Sequence, residues 1–184
     1  KPRLGYEFDW SPGDPTPAGH FQENAARTAV TQRFSGNKHR TFHNFYPTNH
    51  AHYGYADLMS WKNMQGHKFS IKTFPTKKLT AWADFWMFKM DQGADGWYHA
   101  GQGAMPGRAA SATNTDRTRN LGKELDLTAT YSLYKNVGLM GGYSRLFSGS
   151  GVASGNTTGV GASTQTRISD DVTNWGFLQL TVSF

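Results

Sequence analysis

The chain has 184 residues and no cysteine. That absence removes disulfide frameworks, thiolate metal sites and cysteine nucleophiles together. Long apolar runs are also missing: nothing approaches the roughly 18 consecutive apolar residues that a membrane-crossing helix requires. Mean hydropathy is only −0.62. This argues against a helical membrane protein but not against a membrane barrel, because a spanning strand shows lipid only every second side chain. The opening residues Lys1-Pro2-Arg3-Leu4-Gly5 do not read as a secretion leader. The expectation is that a leader has been removed or that the chain begins inside a longer protein.

What is abundant points the same way. Residues 121–134 alternate strictly: Glu124, Asp126, Thr128, Thr130 and Ser132 on one face, Leu125, Leu127, Ala129, Tyr131 and Leu133 on the other. Period-two alternation is the signature of a strand with two different environments. About ten residues rising ~3.3 Å each, tilted by ~45°, cover the ~25 Å apolar band of a barrel. Lys135-Asn136 reads as a tight turn, and 137–147 as the return strand, with Gly138, Gly141 and Gly142 allowing bending or close approach. Residues 174–184 set Gly176, Leu178, Leu180, Val182 and Phe184 against Gln179, Thr181 and Ser183. Upstream, 67–74, 79–90 and 2–10 alternate likewise. In the last of these, Leu4, Tyr6, Phe8 and Trp10 oppose Arg3, Gly5, Glu7 and Asp9.

Six strands result, and their connections alternate between short and long. Outer-membrane barrels keep short turns in the periplasm and long loops outside. The expected fold is therefore all-β: a transmembrane antiparallel up-and-down β-barrel, represented by about six C-terminal strands of a larger one. Six strands are too few to close a known outer-membrane barrel, and an open edge in lipid leaves N–H and C=O groups unpaired. The remaining strands are expected N-terminal to Lys1, so that 1–184 is the C-terminal portion of one barrel domain. Residues 11–66 are expected as one long extracellular connection rather than as containing a spanning strand at 53–63. A loop of that length is usually functional. The rings Phe42, Phe45, Tyr46, Tyr53, Tyr55 and Trp61 would be an association hazard in water. Folding the loop into the lumen hides them and brings Lys62, His50 and His52 toward the pore.

The terminal Phe184, with apolar residues at every second position before it, resembles the signal read by the outer-membrane barrel assembly machinery. Longer stretches carry a family resemblance. They are Leu4-Gly5-Tyr6-Glu7-Phe8-Asp9 with Gly13-Asp14, then Thr41-Phe42-His43-Asn44-Phe45-Tyr46-Pro47-Thr48-Asn49-His50. They continue with His52-Tyr53-Gly54-Tyr55-Ala56-Asp57-Leu58, Ser60-Trp61-Lys62-Asn63, Gly122-Lys123-Glu124-Leu125-Asp126-Leu127 and Gly142-Tyr143-Ser144. In this order they resemble the alginate export family of outer-membrane barrels, over most of the chain apart from two variable loops. The resemblance implies a monomeric barrel of many more strands than six, in the bacterial outer membrane. It does not name a substrate.

The inward faces give the candidate pore lining. Arg3, Lys68 and Lys72 supply positive charge; Glu7, Asp9, Asp84, Glu124 and Asp126 supply negative charge; Lys38, Arg40 and Lys62 of the loop add positive charge where they reach the lumen. A mixed wall either pairs internally and stiffens the barrel or makes a selective constriction. The net charge of +6 has a bland reading, solvated loops, and two sharper ones: lipopolysaccharide outside or an anionic solute inside. His39, His43, His50 and His52 with Asp57 are a rival metal set, weighed below polar loop packing. No Ser/His/Asp spacing singles out a catalytic triad, and the basic residues are dispersed among carboxylates rather than gathered as a nucleic-acid face. The aromatic excess reads as interfacial girdles built from Tyr6, Trp10, Phe85, Tyr131, Tyr143 and Phe184. The expected function is a channel passing a polar, anionic solute or polysaccharide by diffusion through a loop-narrowed lumen. It needs no metal, no other cofactor and no enzymatic step. Its expected partners are outer-membrane lipid, lipopolysaccharide and the assembly machinery. The alternative is a structural or adhesion barrel with a plugged lumen.

Overall fold

The computed structural model describes residues 1–15, 40–45, 52–105, 110, 118–153 and 173–184. It has six strands, β1 (Arg3–Ser11), β2 (Met64–Thr73), β3 (Leu79–Met90), β4 (Asn120–Tyr134), β5 (Val137–Ser148) and β6 (Thr173–Val182). A four-residue helix, α1 (Ser150–Ala153), follows β5. The strands form one antiparallel sheet in sequence order, each paired with the next. This is an up-and-down sheet, as the alternation requires. The chain leaves β2 and β4 at one end of the sheet and leaves β1, β3 and β5 at the other, so the connections 74–78 and 135–136 are the short ones and those that follow Ser11, Met90 and Ser148 the long ones.

The sequence alternation places large apolar strand residues that stay exposed on one face. Leu4, Tyr6, Phe8 and Trp10 of β1, Phe69 and Ile71 of β2, Leu127 and Tyr131 of β4, and Leu178, Leu180 and Val182 of β6 share it. Leu4 is 82% exposed and Leu178 76%. A sheet in water would bury such a face, so this is the lipid-facing side of a transmembrane barrel. The register carries Glu7, Lys68, Trp86, Glu124 and Leu146 across the other face as one row, with Asp84, Asp126, Ser144 and Trp175 in the next. That is the inner face.

Strand limits differ slightly from expectation. β2 begins at Met64, so three residues read as loop already pair with β1 through Trp10↔Gln65 and Ser11↔Met64. β6 ends at Val182, two residues short of the expected terminus. Residues 53–63 form no strand, in agreement with the loop reading. The ladder between β3 and β4 shifts at Phe88/Lys89. There Gly122 takes φ +127°, and a side chain would run into the Phe147 carbonyl oxygen and the Gly149 nitrogen. Only glycine lets the chain enter β4 this way.

The packed core lies on the inner face at the end with the long connections. Met59, Met64, Trp86, Phe88, Met90, Leu121 and Leu146 are each at most 2% exposed. The girdle reading of the aromatic excess needs correcting here. Tyr6, Trp10, Phe85, Tyr131 and Tyr143 do point outward, but Trp82, Trp86, Phe88, Trp175 and Phe177 occupy inner-face positions. Alternation alone assigns these to the polar side. The loops that descend onto them supply the apolar surroundings that large rings need.

Candidate functional site

The inner wall receives a stretch of the long β1–β2 connection, residues 52–63. Tyr53 is 2% exposed and packs edge-on against Trp86 and Phe88, with ring centroids 5.9 and 6.4 Å away. Burial, aided by the carboxylates Asp9 and Glu7, pushes its hydroxyl above the ordinary range, so the ring stays neutral. Tyr55 stacks on Trp175 at 6.0 Å with planes 6° apart and touches Phe177 at 5.6 Å. Gly142 makes this possible, since a Cβ there would occupy the Phe177 ring.

Between these two anchors the backbone meets the wall. Ala56 N–H donates to Glu124 Oε1 at 3.0 Å, and Ser144 Oγ donates to the same oxygen at 2.8 Å. Trp86 Nε1 donates to Asp126 Oδ2 at 3.2 Å, and the Tyr55 N–H also serves Asp126. Gly54, at φ +84°, lies so close that a Cβ would fall on the Glu124 carboxylate. Glu124 and Asp126 are 0% and 1% exposed. Among the described residues, Glu124 Oε2, Asp126 Oδ1 and Thr128 Oγ1 have no hydrogen-bond partner.

A second knot holds the base of the loop. Asn63, at φ +52°, donates through Nδ2 to the carbonyls of Gln92 (3.0 Å) and Gly96 (2.8 Å) and accepts from Gln92 N–H at 2.7 Å. Asp95 accepts from Asp14 N–H (2.8 Å), Thr41 Oγ1 (2.5 Å), Gly96 N–H (2.7 Å) and Tyr98 O–H (2.7 Å). Asp91 accepts from Trp10 Nε1 (2.8 Å), Gly13 N–H (3.1 Å), Gln65 Nε2 (2.9 Å) and Gln92 Nε2 (3.1 Å). Burial works against its charge, but the donors outweigh it and hold the carboxyl below its ordinary range. Segments far apart in sequence, around 13–14, 41, 63 and 91–98, are thereby tied together.

The sequence-expected pore residues fall into distinct settings. Arg3, Glu7, Asp9, Lys68, Lys72, Asp84, Glu124 and Asp126 all take inner-face positions. Lys68 Nζ bonds Glu7 Oε2 at 2.6 Å and lies over the Trp86 ring. Glu124 and Asp126 are covered by the loop they anchor. Asp9 and Asp84 are partly buried, whereas Arg3 and Lys72 are exposed and stand directly opposite each other. Lys62 departs from expectation: it is 4% exposed, with its ammonium 4.4 Å above the Tyr98 ring. It belongs to the base of the loop, not to an open pore surface. His52 is exposed against Trp61, and His43 sits against Phe45. His39, His50, Lys38 and Tyr46 lie outside the described residues. Among the described residues no group of three or more His, Cys, Asp or Glu is placed to hold a metal. Phe184 lies beyond the end of β6 and is fully exposed.

Sequence reasoning missed Asp91, Asp95 and the ring shelf of Trp175 and Phe177. The DQGADGW stretch at 91–97 carried a signal, two aspartates among glycines at a strand exit, which is typical of side chains that cap backbone N–H groups.

A family model described as alginate export matches residues 1–164. No curated protein matches the chain, and no solved structure does.

Proposed function

From the premise that the chain belongs to the alginate export family, an outer-membrane β-barrel transport family, we propose that it walls a channel for a polar, anionic solute or polysaccharide. Passage is by diffusion through a lumen narrowed by the 52–63 segment. The observation that carries this reading is the seating of that segment on the inner wall, through Ala56 on Glu124 and Tyr55 on Trp175. A loop held by ring contacts at Tyr53 and Tyr55 and by hydrogen bonds to buried carboxylates occupies space that a solute would otherwise cross.

The anionic preference rests on which inner-face charges stay exposed. Glu124 and Asp126 are covered, Glu7 is paired with Lys68, Asp9 and Asp84 are partly buried, and the inner-face charges exposed among the described residues are Arg3 and Lys72. Their Cα atoms are register partners. Like charges directly opposite on a sheet repel, and an anion passing between them relieves the repulsion. They sit at the short-turn end, which is the periplasmic mouth by the barrel rule. Phe184 lies at the same end, where we assign it to recognition by the assembly machinery.

The test is single-channel recording of the full-length protein in planar bilayers. Replacing residues 52–61 with a short Gly-Ser linker should raise the conductance. Lys72→Glu should shift selectivity toward cations, most visibly at low salt, where charge is least screened. A loop-replaced barrel that folds but conducts like wild type removes the constriction. If neither protein conducts, the plugged structural barrel is the correct reading.

A further inference from the structure

Within the strands the lipid-facing side has a one-sided charge distribution, with Asp91, just past β3, bonded to Trp10 and Gln65 at its rim. Every carboxylate of the six strands, Glu7, Asp9, Asp84, Glu124 and Asp126, sits on the inner face. The outward face carries three formally charged residues, Lys89, Lys123 and Arg145, all cations and all exposed. Each belongs to an internal strand, so no strand pairing covers it. Each lies near the end with the long connections: Lys89 next to the last residue of β3, Lys123 early in β4, Arg145 late in β5.

They are also neighbours. Lys123 stands opposite Met87, two residues from Lys89, and opposite Phe147, two residues from Arg145. Diagonal neighbours on one face of a sheet are about 7–8 Å apart. Arg145 spreads over the Phe147 ring at 5.1 Å. Among the described residues no ion pair is recorded for any of the three.

Directly toward the membrane centre lies a groove of about 600 Å³. Its floor is small: Ala81, Ala83, Ala129 and Gly141, with Leu127 and Tyr143 at its sides. The Leu127–Tyr143 pair is the next outward-facing row below Leu125–Arg145, so the groove opens beside the guanidinium. Three clustered cations at the edge of the apolar band attract each other's counter-ions. A groove lined by methyl groups and ring edges accepts only hydrocarbon.

We propose that Lys89, Lys123 and Arg145, with the groove beneath them, form a docking site for a phosphorylated, multiply acylated lipid of the outer leaflet. The phosphates lie on the cations and one acyl chain lies in the groove. This is the chemistry of the lipid A portion of lipopolysaccharide. The site is on the opposite face from the channel wall and stands independently of what the lumen passes. It rests only on the outward face meeting lipid and the long connections lying outside.

The test uses full-length protein folded in detergent and native mass spectrometry with three probes. They are bisphosphorylated hexa-acyl lipid A, its dephosphorylated form, and phosphatidylglycerol. Wild type should retain lipid A in preference to both others. Near a charged lipid surface each cation contributes about fivefold, so Lys89→Gln/Lys123→Gln/Arg145→Gln together should weaken lipid A retention on the order of a hundredfold. Conductance and heat-modifiable gel mobility should not change. Ala129→Phe, which fills the groove and leaves the cations, should weaken lipid A as well. If the triple variant folds poorly, Lys123→Gln alone should still show the loss of about fivefold. Equal retention of the dephosphorylated probe, equal retention of phosphatidylglycerol, or wild-type retention by the cation variants would each overturn the proposal.

Discussion

Asp95→Asn is the sharpest probe of the knot at the loop base, because it changes chemistry without changing shape. Both carboxylate oxygens are in use: Oδ2 accepts from Asp14 N–H and Thr41 Oγ1, and Oδ1 accepts from Gly96 N–H and Tyr98 O–H. An amide must put its NH₂ against one of these donor pairs. The Thr41 or Tyr98 hydroxyl can turn and accept, but a backbone N–H cannot. In either orientation one buried N–H is left unmet, at about 1–3 kcal/mol. The surviving bonds also lose charge assistance, roughly another 1 kcal/mol each. The sum is about 3–5 kcal/mol, placed on contacts that join residues 14 and 41 to the β3–β4 connection. The strands themselves are untouched, so the barrel should still fold. Hydrogen exchange followed by mass spectrometry on the full-length protein in detergent reads the effect. Peptides covering residues 13–15 and 40–45 should exchange a hundredfold to a few thousandfold faster, the factor that about 3–5 kcal/mol represents. Strand amides of β3 and β4 should keep their protection. If the loop peptides stay near wild-type rates while the barrel is intact, Asp95 is not what holds the loop base.

Two further outcomes follow from the same geometry. Asp91 has a folded pKa below its ordinary value of 3.8, so its contribution is fully present above that value and is lost as pH falls through the lower folded one. Protection of the Gly13 amide should therefore hold from neutral pH down to about 4 and drop below it, with the drop missing in Asp91→Asn. Gly54→Ala adds a Cβ at φ +84° against the Glu124 carboxylate. It should detach the loop tip at a cost of about 1–3 kcal/mol, seen as greater proteolysis within residues 52–61 and noisier single-channel current. Unchanged cleavage and noise would mean that the tip is not seated through this contact.

The strands were legible because each carries two environments in strict alternation, and the register follows once one face must meet lipid. Leu125, Leu127, Leu178 and Leu180 turn outward, and Glu124, Asp126, Gln179 and Thr181 inward, as their sequence phase requires. The interior of the loops was not legible. Asp91, Asp95 and Asn63 act through hydrogen-bond partners supplied by segments up to 81 residues away, and no local pattern encodes such partners. Lys62 shows the same limit from the other side. Its charge suggested a pore residue, but its place beneath Tyr98 depends on how the 91–98 turn folds back.

These limits bear on how a wall charge should be read. A carboxylate at an inward position of a barrel strand looks like a selectivity element. Glu124 and Asp126, however, are the hydrogen-bond acceptors for the inserted loop, and burial hides them from any passing solute. Their carboxyl oxygens hold the loop, and the inner-face charges left exposed among the described residues are Arg3 and Lys72 at the short-turn end. In the channel proposed above, removing Glu124 should therefore alter the width before the charge preference. Counting inner-face charges without regard to what covers them gives a mixed wall; among the described residues, those left exposed are the cations Arg3 and Lys72.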